Sequence, residues 1–313
     1  MYRLSTLPPV GRAILTMVVA VAMFSTMNVL VKWLGSSYPV TQVIFFRASI
    51  ALVVILPLVH RAGGLASLRT ARPLGHLARC LIGVTSMACG FTAITYLPLA
   101  NAAAFAFTAP LWTTLLGLLI LGERVRWRRA VALVVGFAGV LIMLRPDANL
   151  LREAMAGGRV AVGSLLALTS AALAACAMIS IRRLSATEPS TTIVFYFMLS
   201  GSIIMGLACL PDFVMPTPTD ALLFVALGVV GGVGQLLLTS AYRGAPVAVI
   251  APFDYTAMLW ATGYGYLIWS EVPHPMVALG ALIVIGSGVY IIWRESKLGM
   301  IHKAQAASTT KNL

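Results

Sequence analysis

Long apolar segments, separated by short polar connectors, run through almost the whole chain. About 20 predominantly apolar residues are enough to cross a bilayer as a helix, and the pattern therefore predicts ten transmembrane helices. The predicted fold class is an all-α polytopic membrane protein with little chain left over for loops. The predicted spans are 13–31, 41–59, 77–95, 100–121, 130–144, 160–181, 191–210, 221–242, 247–269 and 275–293.

Composition supports the membrane class. Of the 313 residues, 60% are hydrophobic and only 10% are charged, whereas about a quarter of the residues of a soluble domain are charged. The mean hydropathy is +0.95. The net charge of +13 would suggest nucleic acid in a soluble protein, but here the basic residues lie mainly in short connectors. We therefore expect the lipid bilayer, and not nucleic acid, as the partner of this surface.

The distribution of Lys and Arg between alternate connectors predicts the orientation. Seventeen of the 22 fall on the side of both termini and four fall on the opposite side, with Arg47 inside a predicted helix. Cytoplasmic loops of membrane proteins carry an excess of Lys and Arg. We therefore expect a multi-pass protein of the bacterial inner membrane with both termini in the cytoplasm.

An internal repeat appears when the chain is compared with itself at an offset of about 150 residues. The pairs that coincide include Phe45 with Phe195, Tyr96 with Tyr242, Phe105 with Phe253, Glu123 with Glu271 and Gly139 with Gly288. Each unit holds five predicted helices, and an odd number of crossings inverts the second unit relative to the first. The pattern predicts repeats at 13–144 and 160–293, followed by a cytoplasmic tail at 294–313. Inverted repeats are typical of secondary transporters.

Several short motifs resemble the EamA family of the drug/metabolite transporter superfamily, over nearly the whole chain from 13 to 294. They are the stretches 96–102 (YLPLANA), Pro110, 121–123 (LGE) and 136–140 (GFAGV), with Pro252, 270–271 (SE) and 286–289 (GSGV) as weaker versions in the second half. The resemblance implies two inverted five-helix repeats and a central cavity lined by helices 1, 3, 4, 6, 8 and 9. The second half departs from the pattern at Ser270 and at Asp254.

Helix 4 carries a candidate binding face. Asn101, Phe105, Thr108 and Trp112 recur at spacings of four, three and four residues, so they share one stripe of the helix. Two polar and two aromatic side chains suit the wall of a cavity, where the polar groups would contact water and the aromatic rings would stack on a solute. In the alternative interpretation Asn101 caps the helix, Thr108 bonds back to a carbonyl and the aromatic residues only pack.

Helix 9 carries a carboxylate inside an apolar segment. An acid at that depth usually faces a cavity or a partner and marks a transport pathway. Asp254 and Met258 share one face, Tyr255 lies on a neighbouring face, and Trp260 adds an aromatic side chain. Asp254 is thus a candidate for proton coupling or solute contact. The alternative is a structural partner of Arg47, of backbone groups or of tyrosines, although the expected depths of Asp254 and Arg47 argue against direct contact.

Asn28 and Gln235 complete the candidate substrate-binding residues, as polar side chains inside predicted spans. The sequence suggests no metal site, no cofactor and no catalytic residues. We expect a secondary transporter, not an enzyme, that moves a small polar or amphipathic organic solute such as riboflavin or an amino acid. The alternatives are an intramembrane enzyme and a non-transporting assembly subunit. A homodimer is a possible assembly.

Overall fold

The computed structural model describes residues 9–61, 63–109, 111–113, 115–116, 127–144, 158–184, 187–244, 251–290 and 293. Ten α-helices lie within these ranges, and no strand is found there. The helices are α1 (Pro9–Leu34), α2 (Val40–Arg61), α3 (Pro73–Tyr96), α4 (Leu99–Ala106), α5 (Trp127–Leu144), α6 (Arg159–Leu184), α7 (Ser190–Cys209), α8 (Pro218–Gly244), α9 (Ala257–Trp269) and α10 (Pro275–Tyr290).

Prolines mark where many of the helices begin. Pro73, Pro218 and Pro275 are the first residues of α3, α8 and α10, and Pro189 caps α7. The first turn of a helix has backbone N–H groups without an internal acceptor, so the missing N–H of proline costs nothing there. Six helices, α1, α2, α3, α6, α7 and α8, are long and apolar enough to cross a membrane.

Two predicted spans are interrupted. Regular α4 ends at Ala106, a turn follows at Phe107 and Thr108, and helical backbone resumes at residue 109. A proline at position 110 cannot donate a hydrogen bond to the carbonyl of residue 106, which favours a break there. In the same way, a 3₁₀ turn at Ala251–Thr256 precedes α9, so the prediction of one continuous helix over 247–269 was wrong. Residues 110, 114 and 117–121 of the fourth span and 247–250 of the ninth lie outside the described ranges.

The main helix contacts each join a helix of the first half of the chain to a helix of the second half. α3 packs along α6 and α1 along α8, while α2 contacts α7 and α8. α4 packs against α9 and α6. The α2–α8 contact is close because Gly228 and Gly232 of α8 lie directly against Ile50 and Val54 of α2. The GxxxG spacing of these two glycines therefore serves close helix packing.

Hydrogen bonds tie the connectors together at both ends of the bundle. At one end, Tyr38 donates to Asp220 over 2.7 Å, and this bond raises the pKa of the tyrosine. At the other end, buried Glu188 accepts from the Thr70 hydroxyl over 2.7 Å and from the Ala71 amide. The Thr70 bond is the main reason that the pKa of Glu188 is lowered. The α2–α3 and α6–α7 connectors are thus held to each other.

Candidate functional site

A cavity of about 160 Å³ lies between α1, α3, α4, α6 and α9. Its wall consists mostly of alanine side chains, which leave space where five helices meet. Polar groups come from α1 and α6. The lining residues are Ser25, Asn28, Gly90, Ala93, Ile94, Leu99, Ala102, Ala103, Ala106, Ala109, Ala167, Ser170, Ala171, Ala174, Ala257 and Ala261.

The polar groups of the wall differ in their availability. Ser170 donates to the carbonyl of Ser86 and Ser86 donates to the carbonyl of Ser170, each over 2.8 Å, so these hydroxyls join α6 to α3. Asn28, in contrast, makes no side-chain hydrogen bond to another residue of the described ranges. Its amide can both donate and accept. Ser25 likewise makes no side-chain hydrogen bond within the described ranges, so Asn28 and Ser25 are the polar wall residues available to contact a solute.

An ion pair lies beside the cavity wall, at the end of the bundle that we call the Lys32 end. Lys32, near the end of α1, forms a salt bridge with Glu271, which follows α9. The same ammonium donates to the Leu97 carbonyl over 2.9 Å, and the other carboxylate oxygen of Glu271 accepts from the Leu99 amide over 3.1 Å. Because Leu99 also lines the cavity, the ion pair fixes the start of α4 directly above it.

Aromatic rings cover this ion pair. The Lys32 ammonium lies 5.1 Å from the ring centre of Trp269, and the Trp33 ring lies 6.3 Å from that of Trp269. A cation over an indole face is attracted by the ring quadrupole. Charge, backbone and aromatic groups of α1, α4 and α9 thus meet at one point, and separating them would open the Lys32 end.

Of the ten candidate residues, only Asn28 lies on the wall of this cavity. The lining residues here are Ala102, Ala103 and Ala106 of α4 and Ala109 beyond it, and three of them, Ala102, Ala106 and Ala109, each follow a residue of the predicted stripe by one position. Phe105 is 2% exposed, and fully buried Thr108 donates to the Phe105 carbonyl over 2.7 Å, as in the alternative interpretation of this face. Asn101 Oδ1 and Trp112 Nε1 are buried and have no hydrogen-bond partner among the described residues.

The candidates near α9 surround the wall without forming it. Ala257 and Ala261 line the cavity, whereas partly buried Tyr255 packs edge-on against Phe107 with ring centres 5.1 Å apart. Met258 also packs against the core. Trp260 is 38% exposed and stacks on Tyr264. Asp254 lies in the 3₁₀ turn that precedes α9 and is partly buried.

Gln235 lies in α8, outside the cavity wall, and is partly buried. The sequence interpretation missed Ser25, Ser170 and the alanines of the wall. An alanine carries no chemical signal, and a serine in a span is far more often a packing residue than a ligand. The sequence did contain a signal for the Lys32–Glu271 pair. Both residues follow the ends of predicted spans, 13–31 and 247–269, on the side of the membrane opposite the termini.

A sequence model of the EamA-like transporter family matches residues 11–145 and again residues 161–294. The chain belongs to this family. Its two matches together cover most of the sequence and fall on α1–α5 and α6–α10, so each half carries the family pattern separately.

Curated relatives of this EamA-like protein are transporters by name. The chain is 33% identical to a pseudopaline exporter of Pseudomonas aeruginosa over 273 residues, which are 87% of this chain and 93% of the relative. It is 30% identical to a riboflavin transporter of Rhizobium johnstonii, with 90% and 91% covered. It is 28% identical to an S-adenosylmethionine uptake transporter of Rickettsia prowazekii, with 89% and 92% covered.

The fold is shared with another protein whose crystal structure has been solved. It superposes with a TM-score of 0.61 over 90% of this chain and 97% of that chain, at 22% sequence identity. At that identity the likeness concerns the helical architecture alone.

Proposed function

We propose that this EamA-like protein is a secondary transporter that moves a small polar or amphipathic organic metabolite across the bacterial inner membrane by alternating access. The observation that carries the proposal is the cavity between α1, α3, α4, α6 and α9, with the Lys32–Glu271 ion pair beside its wall. In this proposal the ion pair closes the cavity at the Lys32 end. A solute site that is sealed on one side by a breakable contact is what alternating access requires.

The proposed architecture is two inverted five-helix repeats at 13–144 and 160–293. Helix packing supports it. When each helix is replaced by its equivalent five places away in the other half, the α3–α6 contact becomes the α8–α1 contact, which is also present. The α2–α7 and α4–α9 contacts stay the same under this replacement. Such an exchange of partners is expected from a pseudo-two-fold axis in the membrane plane. Both termini would then lie on one side, and the excess of Lys and Arg there favours the cytoplasm. The Lys32 end would face outward.

The substrate class is proposed from the wall and from the relatives. Pseudopaline, riboflavin and S-adenosylmethionine, named for the relatives, are organic metabolites. A wall of alanines with one free amide suits a solute that is mostly apolar in bulk and has a few polar groups. The aromatic side chains around the wall, Phe105, Trp112, Tyr255 and Trp260, would contact ring-bearing solutes such as riboflavin or an aromatic amino acid once the cavity enlarges.

The decisive experiment is reconstitution of the purified protein in liposomes, with uptake measured for a panel of radiolabelled amino acids, vitamins and nucleosides. We expect concentration-dependent uptake of at least one solute. Ala103→Phe, which fills the cavity, should abolish it. Val134→Phe on the exposed face of α5 is the matched control and should leave uptake unchanged.

Absence of uptake of every solute would contradict transport and would favour the alternatives, an intramembrane enzyme or an assembly subunit. Equal uptake by the two phenylalanine variants would instead show that the solute passes elsewhere. Crosslinking of the liposome-embedded protein in the same preparation would reveal whether it forms a homodimer.

A further inference from the structure

Arg47 is a buried cation in the middle of α2. Its side chain is 4% exposed, and it lies among helices α1, α3, α7 and α8. Removing a guanidinium from water is costly unless an anion and further hydrogen bonds compensate for the lost hydration. The surroundings of Arg47 therefore have to be accounted for.

The contacts of Arg47 are with sulfur. Nη1 lies 3.0 Å from Met87 Sδ and 3.8 Å from Met198 Sδ, while Nε has no hydrogen-bond partner. Thioether sulfur is only a weak acceptor. Between residues 9 and 290, as far as the structure describes them, the ion pairs are Lys32–Glu271 and His76–Glu188, and no carboxylate lies within 4 Å of Arg47.

A second buried arginine has a different environment. Arg79 Nε and Nη1 have no hydrogen-bond partner among the described residues either, but its guanidinium lies over the Phe197 ring at 4.3 Å, so the π face supplies an electrostatic partner. Arg47 has neither an aromatic face nor an oxygen acceptor of this kind among its recorded contacts. Its charge is thus poorly compensated in this conformation.

Met87 connects Arg47 to the helix face that lines the cavity. Met87, which Arg47 contacts, lies three residues before Gly90 and seven before Ile94, and both of these line the cavity. Residues at these spacings share a face of a helix, so Met87 lies on the lining face of α3, beyond the wall itself. On α1, Met27 precedes the wall residue Asn28 and lies with Arg47 against Gly231. Both helices that supply these neighbours of Arg47 therefore also supply the cavity wall.

The Met87 side chain is a movable one. Methionine has three rotatable bonds and adapts readily to a change of neighbour. Rotation of the Met87 side chain would bring the guanidinium into contact with the cavity without moving a helix. The planar fork of arginine then matches a carboxylate with two parallel N–H···O bonds.

We propose that Arg47 is the anion-binding group of the transport site and that the transported solute carries a carboxylate. The proposal rests on the transport function proposed above. The carboxylate displaces the thioether of Met87 and compensates the buried charge, while the remainder of the solute occupies the alanine-lined cavity and contacts Asn28. A solute without an anionic group leaves Arg47 uncompensated and is bound weakly.

The test compares wild-type protein with Arg47→Met and Arg47→Lys. Binding is measured in detergent as a shift in unfolding temperature, and uptake is measured in liposomes. The probes are amino acids and dicarboxylic acids, each paired with the analogue in which every carboxyl group is converted to the neutral amide or methyl ester. We expect acids, but not these analogues with neutral carboxyl positions, to stabilise and to cross with the wild type. In Arg47→Met the affinity should fall about 30-fold or more, as when one partner of a buried charge pair is truncated, and Arg47→Lys should be intermediate.

The stability of the unliganded variants separates this role from a structural one. Replacing an uncompensated buried ion by an apolar side chain of similar length is often neutral or stabilising, so Arg47→Met should unfold at the same temperature as the wild type or higher. A lower unfolding temperature with unchanged acid binding would overturn the proposal. So would binding of neutral analogues as tight as that of the acids, or no binding of any acid; if neutral solutes are still transported, the proposed function stands without it.

Discussion

Asp254 is the acidic residue nearest in sequence to the cavity wall of α9, three residues before the lining residue Ala257. The 3₁₀ turn that contains it packs against α1. Its own counterpart in the first half is Ala106, which lines the cavity. Asp254 is not itself on the wall, and we propose that it takes up and releases a proton during the transport cycle.

Replacing Asp254 by Asn tests this role. The change keeps the size of the side chain and removes its ability to exchange a proton. We expect uptake in liposomes to lose its stimulation by a pH gradient, while uptake driven by the solute gradient alone is retained. Asp212→Asn, in the exposed turn after α7, is the matched control. If Asp254→Asn and the wild type respond equally to the pH gradient, Asp254 has no part in coupling.

For single residues, the sequence predicts polar and charged positions better than it predicts the apolar residues of the cavity wall. Asn28 was found because an amide inside an apolar span is unusual, and Glu271 stood out as the repeat partner of Glu123, although its contact with the start of α4 was not predicted. Sequence spacing could not decide which face of α4 lines the cavity, because Ala102 and Ala106 look the same as any packing alanine. That decision depends on how α4 is rotated against α6 and α9.

At the scale of helices, length and composition predicted most of the architecture. The predicted start at 275 agrees with that of α10, whereas α3 and α8 begin at Pro73 and Pro218, a few residues before the predicted starts at 77 and 221. All ten predicted spans correspond to helical segments of the described ranges. The interruptions in the fourth and ninth spans were underestimated. A proline leaves the carbonyl one turn before it without its helical hydrogen-bond donor. Whether the helix then kinks, breaks or tightens into a 3₁₀ turn depends on the neighbours that satisfy the freed groups.

The close packing of α8 on α2 gives a prediction at this scale. A Cβ at Gly228 would lie 2.3 Å from Ile50 Cβ, whereas nothing lies within 4 Å of a Cβ at Gly263 in α9. Gly228→Ala should therefore force α2 and α8 apart and destabilise the protein by about 1–3 kcal/mol, as overpacking does. Gly263→Ala is the matched control and should be neutral or slightly stabilising, because alanine favours the helix.

Thermal unfolding in one detergent measures both variants. An unfolding temperature for Gly228→Ala equal to that of Gly263→Ala would mean that the α2–α8 contact adapts without cost.

At the scale of the whole molecule, the exchange of helix partners between the halves is consistent with a repeat that the sequence predicts from an offset of about 150 residues. What the two halves do not share is the pattern of charges. The Lys32–Glu271 pair lies at one end of the bundle, while at the other end Glu188 accepts from Thr70 and Ala71 and joins two connectors. The two ends are therefore held by different chemistry, and each contact can be weakened separately.

Weakening the Lys32 end should shift the protein towards a conformation that is open on that side. In Glu271→Gln, Lys32 loses its ion-pair partner while the side chain keeps its size. A hydrogen bond to a charged group contributes about 1.5–3 kcal/mol, and 1.4 kcal/mol corresponds to a tenfold change in an equilibrium. We therefore expect roughly a tenfold faster reaction of a cysteine placed in the cavity with an impermeant maleimide added from the outer side.

The reporter for this experiment is Ala103→Cys, a wall residue, in a background in which Cys80, Cys89, Cys176 and Cys209 are replaced by alanine. Glu188→Gln, at the opposite end, is the matched control. Under alternating access it favours opening on its own side, so it should leave outer labelling unchanged or slower. Faster outer labelling in both variants would indicate general loosening of the bundle, and no change in Glu271→Gln would show that the Lys32–Glu271 pair does not close the cavity.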